Sequence, residues 1–359
     1  MLPYILMVFS VLVIPLCLPK NVVTKVCTGK SKRVICGGYL VALIVLLFFS
    51  TFRGAFSRDY NQYLYNLYLY GNVSFDVKKI FDAGQEPLFV LFYWLLGHSS
   101  YREFMFLFIT SFVVEIGYFR RLIKDSEIPW ISILCFVLIG GYLASFNMIR
   151  QMVACAVTLF AMDYMYNRQF IKYILVIIIA ALIHTTALIM LIVIPIYYYR
   201  PRKIIDTLLF VVFSMSLLLF CGSLITYIQR FIYSEYNDYS YQAMAPISIN
   251  KILLMVVILL FSFISLPRLV KCSEKEQLWY KLSLVCAVLL VGSLQMKNFE
   301  RIATYFYPYV CLLFPAVIKR QEDKYRTVII LVFSALSVVY MVVTIYGSAY
   351  YPYQFASFL

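Results

Sequence analysis

The sequence predicts an all-α, polytopic integral membrane protein with about 11–13 membrane helices, some of them broken or re-entrant. Of its 359 residues, 63% are hydrophobic and only 13% are charged, and the mean hydropathy is +0.86. A soluble domain carries about a quarter charged residues. Apolar runs of about 16 to 20 residues recur along the chain, which is enough to cross the hydrocarbon core. We therefore expect a single transmembrane domain over residues 1–359.

The apolar runs give the candidate spans in chain order. The first run lacks the basic leading region and the small-residue cleavage site of a signal peptide, so we interpret it as a helix. The candidate spans are 2–18, 34–52, 102–119, 129–146, 151–167, 171–183, 185–199, 204–222, 249–266, 278–295, 302–318 and 327–346.

Basic loops predict the orientation of these spans. Lys and Arg outnumber Asp and Glu by 31 to 17, and cytoplasmic loops collect Lys and Arg. The excess therefore indicates topology rather than a nucleic-acid partner. Placing the six basic clusters in the cytoplasm puts both termini outside. The extracytoplasmic side then receives the loops 53–86 and 226–246 and the turn 295–301, and we expect the functional face there.

Two segments have awkward lengths. The 29 residues from 171 to 199 would extend about 44 Å as one helix, whereas one crossing needs about 30 Å. A helix broken near His184 fits this length. The apolar run that starts at Pro87 covers only about a dozen residues, which is too short to span. We predict a re-entrant or interfacial helix from Pro87, followed by a true span from about Arg102.

Several polar groups interrupt the apolar runs and are candidates for function. Arg150, followed by Gln151, and Arg301 fall at predicted outer helix entrances. A guanidinium binds phosphate in bidentate fashion, and a cation that opposes the helix macrodipole is tolerated where an anion binds. Snorkelling to lipid headgroups is the alternative. For His184, the alternative to chemistry is a hydrogen bond between helices.

The first outer loop holds two candidate carboxylates and many tyrosines. Asp59 and Glu86 are candidates for acid–base chemistry, although Asp59 also suits an ion pair with Arg58 and Glu86 suits the helix N-terminus before Pro87. The tyrosines fit an interfacial aromatic belt or a glycan-stacking surface. We expect no metal site, because no paired His or Asp ligands occur at coordinating spacing, and we interpret the nine cysteines as packing residues.

Five segments carry a resemblance to a known family. They occur in the order RDYNQY, EPLFVLF, NMIRQMVACAV, AALIHTTALIML and NFERIATYFYPYV, within about residues 50–315. This ordered set resembles the EpsG family, which belongs to the Wzy-type polymerases of exopolysaccharide, capsule and O-antigen. The resemblance implies a GT-C-like glycosyltransferase in the bacterial cytoplasmic membrane. It would work on the outer face without nucleotide sugar, metal or other cofactor.

The resemblance also implies substrates and residue roles. Donor and acceptor would be undecaprenyl-pyrophosphate-linked glycans, and a chain-length regulator protein is an expected partner besides the lipid bilayer. The pyrophosphate is assigned to Arg150, Arg301, Arg53 and Gln151. The catalytic candidates are His184, Glu86 and Asp59, and the proton acceptor among them is left open. Tyr60 and Tyr305 are expected to line the glycan path.

Other classes of function remain open at this point. A flippase or transporter of lipid-linked glycans would place charges along its whole pathway, including the cytoplasmic half, whereas the candidates here collect on the outer side. An O-antigen ligase would share the arginine and histidine chemistry with a different acceptor. A membrane acyltransferase would need a histidine near its acyl carrier, and the chain supplies only His184 and His98. The sequence leaves the sugars, the linkage, the class of polysaccharide and the oligomeric state open.

Overall fold

A computed structural model describes most of the chain, and everything below concerns that part. The described residues are 1–14, 37–54, 58–74, 76, 80, 85–139, 141–199, 209, 211–214, 216, 249–265, 272–293, 298–348 and 350–356. The predicted outer loop 226–246 and almost all of the predicted span 204–222 lie outside these residues. By its internal contacts the chain divides into two units, Met1–Leu191 with Glu322–Leu359, and Ile192–Gln321. That both form one transmembrane domain stays a prediction.

The regular elements in the described part of the first unit are all helices. Its elements are α1 (Leu2–Leu12), α2 (Gly37–Thr51), α3 (Arg58–Gly71), α4 (Pro87–Gly97), α5 (Arg102–Asp125), α6 (Pro129–Leu138), α7 (Gly141–Asn147), α8 (Ile149–Tyr166), α9 (Phe170–Ile183) and most of a 3₁₀ helix (Thr185–Ile192), with α15 (Asp323–Tyr346) added from the end of the chain. The core lies around α6, whose eight residues from Ile131 to Leu138 are all buried. The helices α5 and α8 pack against each other, and α15 packs on α6.

The second unit contains α10 (Val193–Tyr198), α11 (Ile249–Ser265), α12 (Glu274–Gly292), α13 (Asn298–Ala303) and α14 (Tyr307–Lys319). A capping box starts α12, because the Ser273 side chain accepts from the Glu276 backbone amide while the Glu276 carboxylate accepts from that of Ser273. Such reciprocal bonds satisfy amides that a helix start leaves unpaired. The buried ammonium of Lys281 donates to the carbonyls of Ile196, Tyr197 and Tyr199 at the end of α10.

The all-α prediction is confirmed for the described residues, which form helices and no named strand. One helix, α15, is long and apolar enough to cross a membrane, and the pair α6 and α7, whose axes meet at 45°, passes the same test together. Several further apolar helices are shorter, including α1, α2, α4, α9 and α14. These apolar helices are consistent with a membrane protein, and only 28% of the apolar window of α15 is buried.

Both predicted helix breaks are present, whereas the re-entrant or interfacial character of the Pro87 helix and the membrane span from Arg102 stay predictions. One helix begins at Pro87 and ends at Gly97, and the next begins at Arg102. Proline suits the first helical position, since its missing amide would have no partner there. The α9 helix ends at Ile183, and His184 has an extended backbone with φ −156° and ψ 116° before the 3₁₀ helix begins at Thr185.

The segment 53–86, which is predicted to be an outer loop, contains the α3 helix. Tyr60, Tyr63 and Leu67 are buried along one side of this helix, with spacings of three and four residues that match the helical repeat. Gly71 and Gly97 let α3 and α4 approach closely. A Cβ atom on Gly71 would lie 2.4 Å from the Gly97 Cα, and one on Gly97 would lie 2.2 Å from the Gly71 Cα.

A group of ion pairs joins the ends of α5 and α8. We call this group the Asp163 cluster, and its members are Arg120, Arg121, Lys124, Asp125 and Asp163. The Arg121 side chain is 0% exposed. Its guanidinium donates to Asp125 at 2.8 Å, to Asp163 at 3.0 Å and, through two nitrogens, to the Leu159 carbonyl. A buried charge is tolerated when it is paired and hydrogen-bonded, so this cluster is a structural tie between the two helices.

Candidate functional site

Glu86 directly precedes α4, but its side chain does not cap that helix. The backbone carbonyl of Glu86 accepts from the amides of Phe89 and Val90, and the carboxylate makes no capping hydrogen bond. One carboxylate oxygen instead accepts from Arg150 at 2.7 Å, and the other lies 2.7 Å from the His184 ring. The alternative in which Glu86 serves only its own helix N-terminus therefore does not describe this residue.

Arg150 is the second residue of α8, as predicted for a helix entrance. A cation in the first helical turn is disfavoured by the macrodipole, by roughly 0.3–1 kcal/mol. The ion pair with Glu86 offsets this cost. The guanidinium carbon also lies 5.8 Å from the centre of the Tyr63 ring, a distance that suits a cation–π contact. With 27% of its side chain exposed, Arg150 is held firmly yet remains reachable.

His184 enters the site because the α9 helix breaks there. The extended backbone of His184 turns its side chain out of the helical path, so that Nδ1 lies 2.7 Å from Glu86 Oε1. The following residue, Thr185, donates to the same oxygen through its hydroxyl at 3.3 Å and through its amide at 3.5 Å. We call these four residues, Glu86, Arg150, His184 and Thr185, the Glu86 cluster.

The carboxylate of Glu86 is held in its ionised form. Burial by itself raises the pKa of Glu86, but the hydrogen bond from His184 and the charge of Arg150 outweigh burial and lower it from 4.5 to about 2. A carboxylate that receives several donors and faces a cation is expected to behave in this way. At neutral pH the Glu86 cluster therefore contains a fixed anion between a guanidinium and an imidazole.

The α3 helix supports the cluster from one side. Asn66 donates to the Gln85 side chain at 3.3 Å, next to Glu86 in the chain. Tyr93 on α4 is fully buried and stacks on Tyr70 with ring centres 6.0 Å apart. Together with the close approach of Gly71 and Gly97, these contacts hold α4 against α3 from its start at Pro87 to its end at Gly97, and they thereby support the position of Glu86.

The other site candidates of the first unit are placed as follows. Arg53 is 1% exposed, and its guanidinium donates to the carbonyl of Ser50 and to the Ser111 hydroxyl. Tyr60 is also buried, and burial raises its pKa to about 12. Gln151 is 4% exposed, and Asp59 lies half-exposed in the first turn of α3. The roles of these four residues stay predictions, and a direct role for Arg53 would require its buried guanidinium to become accessible.

The two remaining candidates, Arg301 and Tyr305, belong to the second unit. The prediction that Arg301 opens a long helix is wrong, because Arg301 lies in the last turn of the six-residue helix α13 and its carbonyl accepts from Thr304. A helix C-terminus favours a cation, so the macrodipole argument for an anion does not hold there. Tyr305 is 1% exposed, in the turn before α14. Their assignments to pyrophosphate and glycan stay predictions.

Sequence reasoning missed two contributors to the cluster. Thr185 is not among the residues predicted from the sequence, although a threonine hydroxyl can donate a hydrogen bond to a carboxylate. Tyr63 was grouped with the other loop tyrosines. Its spacing from Tyr60 and Leu67 is the signal that separates it from the outward-facing Tyr65, which is 61% exposed.

No curated protein and no solved structure matches this chain. The model of the EpsG family matches residues 38–355, which contain every residue of the Glu86 cluster and all the other site candidates. Membership suggests a polysaccharide polymerase-like role. The resemblance drawn from the five sequence segments is thus confirmed: this chain belongs to the EpsG family, a family of Wzy-type polysaccharide polymerase-like proteins.

Proposed function

We propose that this protein is a membrane glycosyltransferase that joins undecaprenyl-pyrophosphate-linked oligosaccharide repeat units into polysaccharide. The reaction takes place on the outer face of the bacterial cytoplasmic membrane and releases undecaprenyl pyrophosphate. The observation that carries the proposal is the Glu86 cluster, in which an arginine, a carboxylate and a histidine meet at two helix starts and one helix break, in a chain of the EpsG family. Chain length would be set by a separate regulator protein.

The chemistry of the cluster suits this transfer. The hydroxyl of an acceptor glycan attacks the anomeric carbon that joins the growing chain to pyrophosphate. The bond to the phosphate oxygen breaks and leaves its electron pair there. Arg150 is assigned to this developing charge, because a guanidinium aimed at the leaving oxygens stabilises the transition state more than the ground state. A proton must leave the acceptor hydroxyl, and the cluster offers an imidazole and a carboxylate for it.

The apolar surfaces support a polytopic arrangement in the bilayer. Large apolar side chains are exposed along one side of α15, among them Val328, Leu331 and Val339. Extended apolar surface of this kind needs a cover, and lipid hydrocarbon supplies it. The shorter apolar helices α1, α2 and α9 show the same feature, with Ile5, Ile44 and Ile171 each more than half exposed.

The proposal is tested with purified protein in lipid nanodiscs and lipid-linked repeat units extracted from cells that lack the gene. A ladder of longer lipid-linked glycans, with undecaprenyl pyrophosphate released in equal amount to the bonds formed, is the expected result. Movement of the lipid across a vesicle bilayer without any ladder would overturn the enzyme and favour a transporter. The Arg120→Ala variant is the matched control. It removes a partly exposed arginine of the Asp163 cluster, outside the Glu86 cluster, and should leave the ladder intact.

A further inference from the structure

We propose a division of labour within the Glu86 cluster, resting on the polymerase function above. The Nε2 atom of His184 accepts the proton of the acceptor hydroxyl. Glu86 is a positioning residue that holds the opposite ring nitrogen, and Thr185 holds Glu86. The geometry thereby separates the catalytic candidates that sequence reasoning left equivalent.

The contact with Glu86 determines which ring nitrogen of His184 carries the proton. Its Nδ1 lies 2.7 Å from Glu86 Oε1. An ionised carboxylate only accepts hydrogen bonds, so Nδ1 carries a proton and donates it in this bond. In the neutral ring the lone pair is then on Nε2, the nitrogen that Glu86 does not contact. A carboxylate that fixes the tautomer and orientation of an imidazole is the arrangement through which a histidine acts as a general base.

Both carboxylate oxygens of Glu86 already accept hydrogen bonds. Oε2 accepts from Arg150, while Oε1 accepts from His184 and from the Thr185 hydroxyl. The side chain is 11% exposed. A carboxylate stabilised by these donors is a weak base, which agrees with its low pKa. Glu86 would have to lose these bonds before it could accept a proton from a sugar hydroxyl.

The His184 ring is partly exposed, so a substrate can reach it. The break at Ile183 ends the helical path, and 22% of the His184 side chain is exposed. If α9 continued through residue 184, the imidazole would lie along the preceding turn of the helix. Here the extended backbone lets the ring take a hydrogen bond on one edge and leaves the other edge for a substrate. Thr185, the first residue after the break, donates its hydroxyl to the carboxylate oxygen that His184 also contacts.

The proton balance follows from these assignments. The acceptor O–H bond breaks and its proton moves to Nε2. The oxygen forms a bond to the anomeric carbon as the carbon–phosphate oxygen bond breaks, and its electron pair stays on the released pyrophosphate. His184 becomes an imidazolium, which the Glu86 carboxylate stabilises. The imidazolium then returns its proton to water, and no oxidant or metal is needed.

The charged and titratable groups around His184 come from three elements. Glu86 contacts it from the start of α4, and Arg150 reaches the same carboxylate from α8. Tyr63 and Tyr70 on α3 and Tyr93 on α4 lie within the field of Arg150, and Asp59 acts on Tyr63. Of these groups, Glu86 alone has a recorded hydrogen bond to the imidazole among the residues that the structure describes. The pH experiment below therefore changes this residue.

The test measures kcat/KM against pH for ladder formation from undecaprenyl-pyrophosphate-linked repeat units purified from cells that lack the protein. In the unmodified protein an acidic limb should report protonation of His184. His184→Gln keeps a donor for Glu86 but has no basic nitrogen, so it should lose about 10²–10⁴-fold in rate and lose the limb. Glu86→Gln should lose at least about 10-fold in kcat/KM and alter the pH profile, because the carboxylate that fixes the tautomer and orientation of the ring is gone.

Conservative variants separate positioning from folding. Glu86→Asp retains the charge and should keep the limb near its original pH at a reduced rate. Thr185→Val should lose part of kcat, and Thr185→Ser, which retains the hydroxyl, should lose less than Thr185→Val. The inference is overturned if His184→Gln retains the acidic limb, or if Glu86→Gln leaves both limb and rate within about threefold. Absence of any ladder from the unmodified protein would instead refute the proposed function itself.

Discussion

The Asp163 cluster and the Glu86 cluster both pair arginine with carboxylate, but they differ in what their charged atoms leave for a ligand. Arg121 is completely buried and donates to two carboxylates and a backbone carbonyl. Arg150 is 27% exposed and pairs with one carboxylate, beside a histidine that is 22% exposed. The first arrangement ties two continuous helices together. The second lies at helix starts and a helix break, where polar groups can reach a substrate.

The largest effect is expected from removing the central arginine of the Asp163 cluster. Arg121→Ala leaves Asp125 buried without its guanidinium and leaves the Leu159 carbonyl without its two donors. Breaking a buried ion pair on one side costs about 3–5 kcal/mol. We expect a large fall in the thermal unfolding midpoint in detergent. The folded fraction that remains at low temperature should form the glycan ladder at an unchanged rate per molecule. A selective loss of rate at unchanged stability would show that this cluster also serves the reaction.

Arg150→Ala should lower the catalytic rate strongly and the unfolding midpoint only slightly, which is the reverse of Arg121→Ala. Removing a donor aimed at a leaving group costs about 10²–10³ in kcat, whereas the unfolding midpoint should change less than in Arg121→Ala, because the pair with Glu86 is partly exposed. Arg150→Lys should recover only part of the activity, since an ammonium cannot bind phosphate as a planar fork. Ladder assays at several substrate concentrations measure kcat and KM. Full activity of Arg150→Ala would remove this residue from the site.

The glycine crossing tests how far the Glu86 cluster depends on its support. Gly97→Ala places a methyl group against the backbone of Gly71 and should push α3 and α4 apart, at a cost of about 1–3 kcal/mol. Because Glu86 precedes α4, we expect activity to fall together with the unfolding midpoint. Gly347→Ala is the matched control, since its Cβ would meet only the Val343 carbonyl, at 3.2 Å. Equal behaviour of the two variants would contradict a special role for the crossing.

The smallest expected effect is a pH dependence of stability. The folded-state pKa of Glu86 is lowered to about 2 from 4.5, so its stabilising contribution is complete above the ordinary pKa and is lost as the pH falls towards the folded value. The difference in unfolding midpoint between the unmodified protein and Glu86→Gln should therefore be constant near neutral pH and should narrow below about pH 4.5. Scanning fluorimetry from neutral pH to about pH 3 measures it. A gap that widens on acidification would contradict the ionised carboxylate.

The sequence predicts the positions of helix breaks better than it predicts the contacts at them. Pro87, Arg150 and His184 mark helix starts or a break because a proline or a polar side chain interrupts an apolar run, and that information is local. The α3 helix was missed because its tyrosines also fit an interfacial loop. The position of Arg301 was wrong because a six-residue helix leaves almost no periodic signal.

Contacts between distant residues lie beyond such reasoning. The burial of Arg53 and the junction of Glu86 with Arg150 and His184 arise from helix packing, and one sequence alone carries little information about it. Sequence reasoning therefore identified three members of the cluster as separate candidates. It could not identify Glu86 as the group that joins the other two.

The bonds of Glu86 also have a consequence for the order in which the protein forms during synthesis. They join residues separated by 64 and 98 positions in the chain, and contacts of such long separation are slow to close. When Glu86 leaves the ribosome, neither of its partners has been made. The carboxylate remains without its ring donor until the α9 helix and its break have been synthesised. The Glu86 cluster is thus completed late, and a chain that terminates before residue 184 would lack the histidine of the cluster.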